Sequence, residues 1–174
     1  PGRPAEQAVR SMLGARQSSV FSIPARAAVE AETYAEACAL AVAGSTPPRK
    51  VAKQGFMLFP KIRELDVALR ADLSMAARVV ETHPEVVFRV LKGDPLEHPK
   101  KSPAGASERL ALLAAAGLPV ELLARSAPRG AKLDDFIDAM ACSHTAMRRA
   151  KGLAQPHPEQ FSCDRHGLPV AIWT

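Results

Sequence analysis

Two groups of carboxylates have the residue types and spacing that metal-assisted chemistry needs. One is Glu81, which follows the mostly apolar segment Ala76–Val80 and stands two residues before His83. The other is a trio within five residues of the chain: Asp134, Asp135 and Asp138. Carboxylate oxygens are the ligands that Mg²⁺ and Mn²⁺ prefer. Acids that converge from two separate elements would therefore form a metal site.

The residues around Glu81 predict the element that positions it. Ala76–Val80 is short, apolar apart from Arg78, and ends in two valines, which predicts a buried strand. Thr82 and Glu85 have the spacing of a helix capping box, and Pro84 suits the first helical turn. We therefore expect Glu81 at the carboxyl end of a strand, where open α/β sheets bind ligands. The alternative is a solvated Glu81, with Glu85 serving only as a helix cap.

The second group of acids lies on the most strongly periodic helix, from Leu133 to about Lys151. Its predicted buried stripe comprises Leu133, Phe136, Ile137, Met140, Ala141, His144 and Met147. Asp138 borders this stripe, roughly 40° around the helix from Asp134 and roughly 60° from Asp135. Acids aimed toward Glu81 predict an oxygen-rich site for Mg²⁺ or Mn²⁺. The alternative is that all three are solvated and that two of them favour the positive end of the helix dipole.

Other chemical motifs are few. The sequence has no P-loop, GxGxxG, GxSxG or HExxH pattern. The five histidines have no metal-ligand spacing; His83 is a functional candidate beside Glu81, and His144 is assigned to helix packing. Lys100 and Lys101 are two adjacent cations that either bind a phosphate or are simply solvated.

Composition limits the class of protein. A chain of 174 residues predicts one domain, and a net charge of +5 is compatible with a polyanionic partner without requiring one. No apolar run reaches the roughly 18 residues of a membrane span, and no signal peptide is visible. Three cysteines without a CxxC pair predict free thiols in a reducing cytosol, and hence a cytoplasmic protein.

The rest of the chain predicts a helix-rich α/β domain. Helices are expected over Ala5–Leu13, ended by Gly14; over Ala25–Ala43 in two pieces, with Thr33 as a cap; over Lys53 to about Leu69, divided at Pro60; from Ser102-Pro103 to Ala116; and over Pro119–Ala124. Near the end, Glu159–Cys163 and Leu168–Trp173 flank a Gly-containing loop and predict a β-hairpin.

Several stretches, in the same order, resemble one known family. They are RSMLGARQSSVFSIPARAAVEA, ETHPEVVF, HPKKSPAG with SERLALLAAAG, LDDFIDAMA and DRHGLPVAIW. Together they cover almost the whole chain and resemble the domain of unknown function 429 family, whose members are regarded as predicted RNase H-like nucleases. The resemblance implies a single RNase H-like domain over residues 1–174. It also implies hydrolysis of DNA or RNA by a pair of Mg²⁺ or Mn²⁺ ions.

The resemblance also implies roles for individual residues. It makes Glu81, Asp135 and Asp138 metal ligands and places His83 with them as a catalytic residue. The expected basic contacts to nucleic acid are Lys100, Lys101, Arg16 and Arg26.

The chain departs from the family pattern at its start. RNase H-like folds begin with three antiparallel strands, the first of which carries an indispensable Asp. Pro1-Gly2-Arg3-Pro4 predicts a turn, so we expect this sequence to begin after those strands and to comprise the larger C-terminal part of the domain. The alternative function is then a non-catalytic module that binds nucleic acid or protein on a degenerate RNase H-like fold. A nucleotide-binding protein ranks last because Gly-rich phosphate loops are missing.

Overall fold

A computed structural model describes residues 2–174 and shows a helix-rich fold with one small sheet. The helices are α1 Pro4–Leu13, a 3₁₀ segment Gly14–Ser19, α2 Arg26–Glu30, α3 Tyr34–Ala43, α4 Lys53–Phe56, α5 Phe59–Ala71, α6 Leu73–Arg78, α7 Pro84–Lys92, α8 Pro103–Ala115, α9 Val120–Leu123 and α10 Leu133–Ala150. The strands are β1 Glu81–Thr82, β2 Pro156–His157 and β3 Ile172–Trp173. The architecture is compatible with the predicted α/β class.

The sheet brings the end of the chain against β1. Its strand order is β1-β3-β2, with β1 parallel and β2 antiparallel to β3. Glu81 lies opposite Ile172, and Thr82 lies opposite Trp173. Helix α7 begins directly after β1, at Pro84. This places Glu81 and the start of α7 beside the last residues of the chain.

Apolar side chains form three buried clusters. One joins α7, α8 and α10 and includes Val87, Phe88, Leu113, Ile137 and Met140. A second joins α2, α3 and α5 and includes Ala28, Val29, Ala37, Ala41 and Phe59. A third packs α1 against the sheet and α7, with Val9, Leu13, Val86 and Ile172. Within residues 2–174, none of the helices is long and apolar enough to cross a bilayer.

The strand predicted at Ala76–Val80 is wrong. Most of this segment lies in α6, because the Asp72 side chain caps that helix by accepting hydrogen bonds from the backbone N–H of Ser74 (2.8 Å) and Met75 (3.1 Å). Val79 is 37% exposed. Glu81 therefore begins the strand instead of following it, because β3 is available as a partner only at Glu81–Thr82.

The capping box predicted at Thr82 and Glu85 is also wrong. Thr82 is a strand residue, and His83 occupies the N-cap position of α7 without a side-chain cap bond. Glu85 is instead buried, with 8% of its surface exposed, and is paired with Arg109. Pro84 does stand at the first helical position, as predicted.

Most of the remaining helix predictions are confirmed. Gly14 ends α1 with φ 51°, Thr33 caps α3, and Ser102 caps α8 by accepting from the N–H of Gly105 at 3.0 Å. The helices on either side of Met57 are separate, with Pro60 in the first turn of α5. In α10, the middle of the predicted stripe is buried, at Ile137, Met140, Ala141 and His144. The two ends of the stripe are wrong, since Leu133 is 48% and Met147 41% exposed.

The predicted C-terminal hairpin is confirmed at its turn. Asp164 N–H donates to Leu168 O (2.8 Å), and Cys163 bridges Pro169 in antiparallel fashion. Pro169 has no N–H to donate, so it cannot extend the ladder as an ordinary residue does. Ile172–Trp173 then pairs with β1 and β2.

Candidate acidic site

Glu81 is bound by an arginine from the start of the chain. Arg3 Nη2 donates to Glu81 Oε1 (2.7 Å), and Arg3 Nη1 donates to Glu81 Oε2 (3.0 Å). The same guanidinium donates through Nε to Glu6 Oε1 at 2.8 Å. The Arg3 and Glu81 side chains are 31% and 42% exposed, so their mutual attraction is screened by water.

Glu81 and Thr82 point to opposite sides of β1, as successive strand residues do. Thr82 Oγ1 donates to Trp173 O (2.8 Å) and lies 3.1 Å from Thr145 Oγ1 on α10. Glu81 therefore faces away from α10, while Asp138 lies on that helix about two turns before Thr145. Within residues 2–174 no hydrogen bond links Glu81 to Asp138, and a different cation binds each acid: Arg3 binds Glu81, and Lys100 binds Asp138.

Asp138 is bound by Lys100. The Lys100 Nζ lies 2.8 Å from Asp138 Oδ2 and 3.7 Å from Asp134 Oδ2. Asp135 is exposed and does not share this cation. The other oxygen of Asp138, Oδ1, is buried and has no hydrogen-bond partner. Burial raises the pKa of Asp138, and the hydrogen bond from Lys100 opposes that rise.

Glu85 is a third acid near this group. Its Oε1 accepts from Arg109 Nη2 at 2.6 Å, and its Oε2 lies 3.9 Å from Arg16 Nη1 without a hydrogen bond. The negative charge of Glu85 also contributes to the raised pKa of Asp138. Our sequence reasoning missed Arg109, although its spacing from Leu113 on α8 places it on the buried face of that helix.

The loop that carries Lys100 is fixed on its N-terminal side. Arg16 Nη2 donates to Leu96 O (3.1 Å) and to His98 O (2.9 Å). The Glu108 carboxylate accepts from the backbone N–H of Glu97 (3.0 Å) and of His98 (3.1 Å).

Glu108 holds this part of the loop as a charged group. Burial alone would raise the pKa of Glu108, but the hydrogen bonds from Lys92 and from the loop N–H groups outweigh it and lower the pKa to about 2. Lys92 Nζ lies 2.7 Å from Glu108 Oε1. The ionised carboxylate of Glu108 on α8 therefore holds this part of the loop through hydrogen bonds to its backbone N–H groups.

The same loop is fixed on its C-terminal side by the start of α8. Ser102 donates its hydroxyl to Pro99 O (2.8 Å), and Ser102 N–H also donates to Pro99 O (3.0 Å). A Cβ atom at Gly105 would overlap the carbonyl of Pro99, so this close approach requires glycine. The KKSPAG stretch thus fixes the main chain around Lys100, and its long side chain remains the movable part.

His83 and the predicted basic contacts are mostly engaged within the fold. His83 Nε2 lies 3.2 Å from Ser19 O, and His83 Nδ1 is buried without a hydrogen-bond partner. Arg26 is held by Asp66 (2.8 Å) and Asp164 (2.5 Å). Like Arg26, both Arg16 and Lys100 make internal contacts. Among the four predicted contacts, Lys101 alone is exposed and makes no ion pair with any residue from 2 to 174.

Glu81 lies on the wall of a cavity of about 780 Å³. The apolar part of the wall includes Ile23, Val29, Ile62, Leu69 and Val80. Five cationic side chains also line it: Arg3, Arg26, Arg49, Lys50 and Arg63. Arg49 and Lys50 make no ion pair with another residue of the described range 2–174. Four carboxylates line the cavity as well, at Glu30, Asp66, Glu81 and Asp164. Glu81 binds Arg3, and Asp66 and Asp164 bind Arg26, so the cations of the wall that make no ion pair within residues 2–174 are Arg49, Lys50 and Arg63.

The predicted metal ligands do not form a closed protein cage. No group of three or more His, Cys, Asp or Glu side chains within residues 2–174 is arranged to hold a metal ion. Mg²⁺ is usually bound by one or two carboxylates together with water and substrate phosphates. The buried Asp138 Oδ1 fits such a partial site, whereas both oxygens of Glu81 are bound by Arg3.

Comparison with known proteins gives one family. The family model described as "Protein of unknown function (DUF429)" matches residues 1–162 of the chain. No curated protein and no solved structure shows a significant match.

Proposed function

The chain belongs to the DUF429 family, and we propose that it is a metal-dependent nuclease of RNase H-like type that hydrolyses phosphodiester bonds in DNA or RNA. One observation carries the proposal: the carboxylate of Glu81 lies on the wall of a cavity on which three cations, Arg49, Lys50 and Arg63, make no ion pair within residues 2–174. A carboxylate surrounded by cations is the arrangement that a reaction at a phosphate group needs. The cations attract the phosphate, and the acid holds a metal ion.

The fold supports this proposal in its connectivity. The parallel pair β1 and β3 places Glu81 in a strand that is followed at once by α7. Helix α10, which carries the acids, packs against α7. An acid on a strand and a second acid on a later core helix are what the resemblance to RNase H-like proteins implies.

The ion pair between Arg3 and Glu81 is exposed, so a substrate phosphate can displace Glu81 from Arg3. An exposed ion pair contributes only about 0–1 kcal/mol, so a phosphate competes readily for Arg3. Binding of the phosphate by Arg3 would release Glu81 to hold a cation. Arg49 and Lys50, on the same cavity wall, would hold neighbouring phosphates.

One metal ion would be held by Asp138 together with Asp134, with Asp135 as a further ligand in the proposed set. Glu81 would hold a cation on its own side of β1, at the cavity. When bound, a metal ion would activate a water molecule or stabilise the leaving oxygen. The residues of this chain bind the phosphate chain and orient it against the acids. His83, with its unpartnered Nδ1 at the start of α7, would hold or move a proton there.

A second candidate function is binding of nucleic acid without cleavage. It is favoured by the fact that Glu81 and Asp138 are each already paired with a cation, Arg3 and Lys100. A site neutralised in this way can bind polyanions through its remaining cations. Both candidates predict affinity that weakens steeply with salt, because Lys and Arg contacts to phosphate release counterions.

Cleavage assays on the intact protein distinguish the two candidates. Labelled single- and double-stranded DNA and RNA are incubated with Mg²⁺ or Mn²⁺ and, in parallel, with a chelator. We expect metal-dependent cleavage that Asp138→Asn and Glu81→Gln nearly abolish, while Glu121→Gln, an exposed control, leaves it intact. Salt-sensitive binding without cleavage under any of these conditions would support the second candidate.

Two further pairs of variants sharpen the assignment. Asp134→Asn and Asp135→Asn test which neighbour of Asp138 acts with it. Each variant removes one negative charge, so a difference in their cleavage rates reflects where the acid lies on α10. Lys101→Ala should weaken nucleic-acid binding for all sequences alike, because its contact would be to phosphate. Affinity that is unchanged between low and physiological salt would contradict both candidate functions.

A further inference from the structure

The ammonium group of Lys100 is the counter-ion of two carboxylates on α10. Its ammonium group lies 2.8 Å from Asp138 and 3.7 Å from Asp134, one turn apart on α10. Adjacent Lys101 is exposed and binds neither acid. The two neighbouring lysines therefore have different surroundings: Lys100 is paired with acids of α10, whereas Lys101 is exposed to solvent.

The surroundings of this ammonium remain rich in negative charge. Two carboxylates share one Lys100, and Glu85 adds a third nearby charge that contributes to the raised pKa of Asp138. The Glu85 side chain is 10% exposed, and its Oε2 has no hydrogen-bond partner. Asp138 Oδ1 is likewise buried without a partner. Glu85 is itself paired with Arg109, so Asp138 Oδ1 is the buried oxygen that the ammonium leaves unsatisfied and that a divalent cation would bind.

The main chain around Lys100 is fixed, but its side chain is not. Arg16 and Glu108 bind the backbone before it, at His98, and Ser102, at the start of α8, binds the carbonyl of Pro99 from the other side of Lys100 in the sequence. The Lys100 side chain itself is 36% exposed and has a flexible four-carbon stem. The ammonium can therefore leave the acids and reach solvent while the loop stays in place.

We propose that Lys100 is the internal counter-cation of Asp138 and Asp134, which a divalent cation displaces, releasing the ammonium to bind a phosphate group. This rests on the proposed function and names Lys100 as a positioning residue for it. Lys100 then sets the affinity for the metal ion and couples metal binding to phosphate binding. Before the metal binds it neutralises the acids, and afterwards it neutralises the substrate.

The first test is calorimetric titration with Mn²⁺ alone, in the absence of nucleic acid. Lys100→Met should bind Mn²⁺ at least about tenfold more tightly than the unchanged protein, because the competing ammonium is gone. Lys101→Met should bind it as the unchanged protein does, and Lys100→Arg should restore weak binding. Asp138→Asn should remove binding in either background. Equal Mn²⁺ affinity of Lys100→Met and the unchanged protein would overturn the proposal.

The second test follows the Lys100 amino group in protein without any substitution. Its outcome therefore does not depend on whether a variant folds correctly. Lysines are reductively methylated with ¹³C-formaldehyde, and their methyl resonances are followed during titration with diamagnetic Mg²⁺. The resonance of Lys100 should shift, whereas that of Lys101 should not. A Lys100 resonance that stays fixed while Mg²⁺ binds would contradict displacement.

The third test measures the coupling to phosphate. Binding of a fluorescein-labelled single-stranded DNA is measured in Ca²⁺ and in a chelator. Lys100→Met should weaken DNA binding several-fold in the presence of Ca²⁺ but not in the presence of the chelator. Lys101→Met should weaken DNA binding to the same extent with Ca²⁺ and with the chelator. Equal losses for Lys100→Met in both conditions would overturn the coupling.

The tests separate this inference from the nuclease proposal on which it rests. If Lys100→Met gains Mn²⁺ affinity but no variant cleaves nucleic acid, displacement of Lys100 stands and the nuclease proposal fails. If the protein cleaves nucleic acid with Mn²⁺ but Lys100→Met has unchanged Mn²⁺ affinity, the nuclease proposal stands and displacement of Lys100 fails.

Discussion

The buried ion pair between Glu85 and Arg109 should be the most costly polar contact to break. Arg109 is 1% exposed and Glu85 is 8% exposed, and their closest atoms are 2.6 Å apart. Removing one partner of a buried pair leaves an uncompensated charge, at a cost of about 3–5 kcal/mol. Glu85→Leu should therefore lower the free energy of unfolding by that amount.

The surroundings of the pair predict that its two single variants differ. Arg109 also donates to Gly105 O (3.1 Å) and to His98 O (3.3 Å), and its guanidinium lies over the Phe88 ring at 5.4 Å. Arg109→Leu should consequently cost more than Glu85→Leu, since it removes these contacts as well. After loss of Arg109, Arg16 at 3.9 Å is too far for more than partial compensation.

A double-mutant cycle in urea measures the interaction. The variant with both Glu85→Leu and Arg109→Leu should be more stable than the sum of the single losses predicts, because no unpaired charge remains buried. A matched cycle at Lys61 and Glu64, whose side chains are 83% and 72% exposed, should show little coupling. A Glu85→Leu loss below about 1 kcal/mol would refute the reasoning that this pair is desolvated and interdependent.

Further predictions concern the core, the loop and acid stability. Ile137→Ala should cost about 2–5 kcal/mol in a denaturant titration, whereas Leu133→Ala, at a 48% exposed site, should cost far less. Ser102→Ala should cost about 1 kcal/mol, the loss of one helix cap. Gly105→Ala should lower the melting temperature and change amide resonances of the Lys100 loop, because its methyl group meets a backbone carbonyl. The pKa of Glu108 falls from 4.5 to about 2 on folding, so its stabilisation is complete above about pH 4.5 and is lost as pH falls toward 2. Glu108→Gln should flatten this part of the stability profile.

Local sequence signals determined most of the helices. Gly14, Thr33 and Ser102 end or begin their helices where their own conformations and side chains require it. Such signals act between residues a few positions apart, so they can be read without knowing the fold. The same holds for the middle of α10, where the 3.6-residue period of apolar side chains places Ile137 and Met140 in the core.

Only the tertiary structure decided the partners of the charged residues. Glu81 meets Arg3 across 78 positions of sequence, and Lys100 meets Asp138 across 38. A carboxylate binds whichever cation the fold brings within reach, and no local pattern specifies that cation. Residue type therefore identified the acids, while their pairing depended on how α1, α10 and the Lys100 loop pack.

The strand at β1 shows the same division within one segment. The valines before Glu81 have the composition of a strand, yet the Asp72 cap makes most of that segment a helix, and pairing with Ile172–Trp173 places the strand two residues later. A strand depends on hydrogen bonds to a distant partner, whereas a helix satisfies its own backbone locally. The sequence by itself thus determined most of the helices, several of their caps and the identity of the acids. The tertiary structure decided where the sheet forms and which way each acid points.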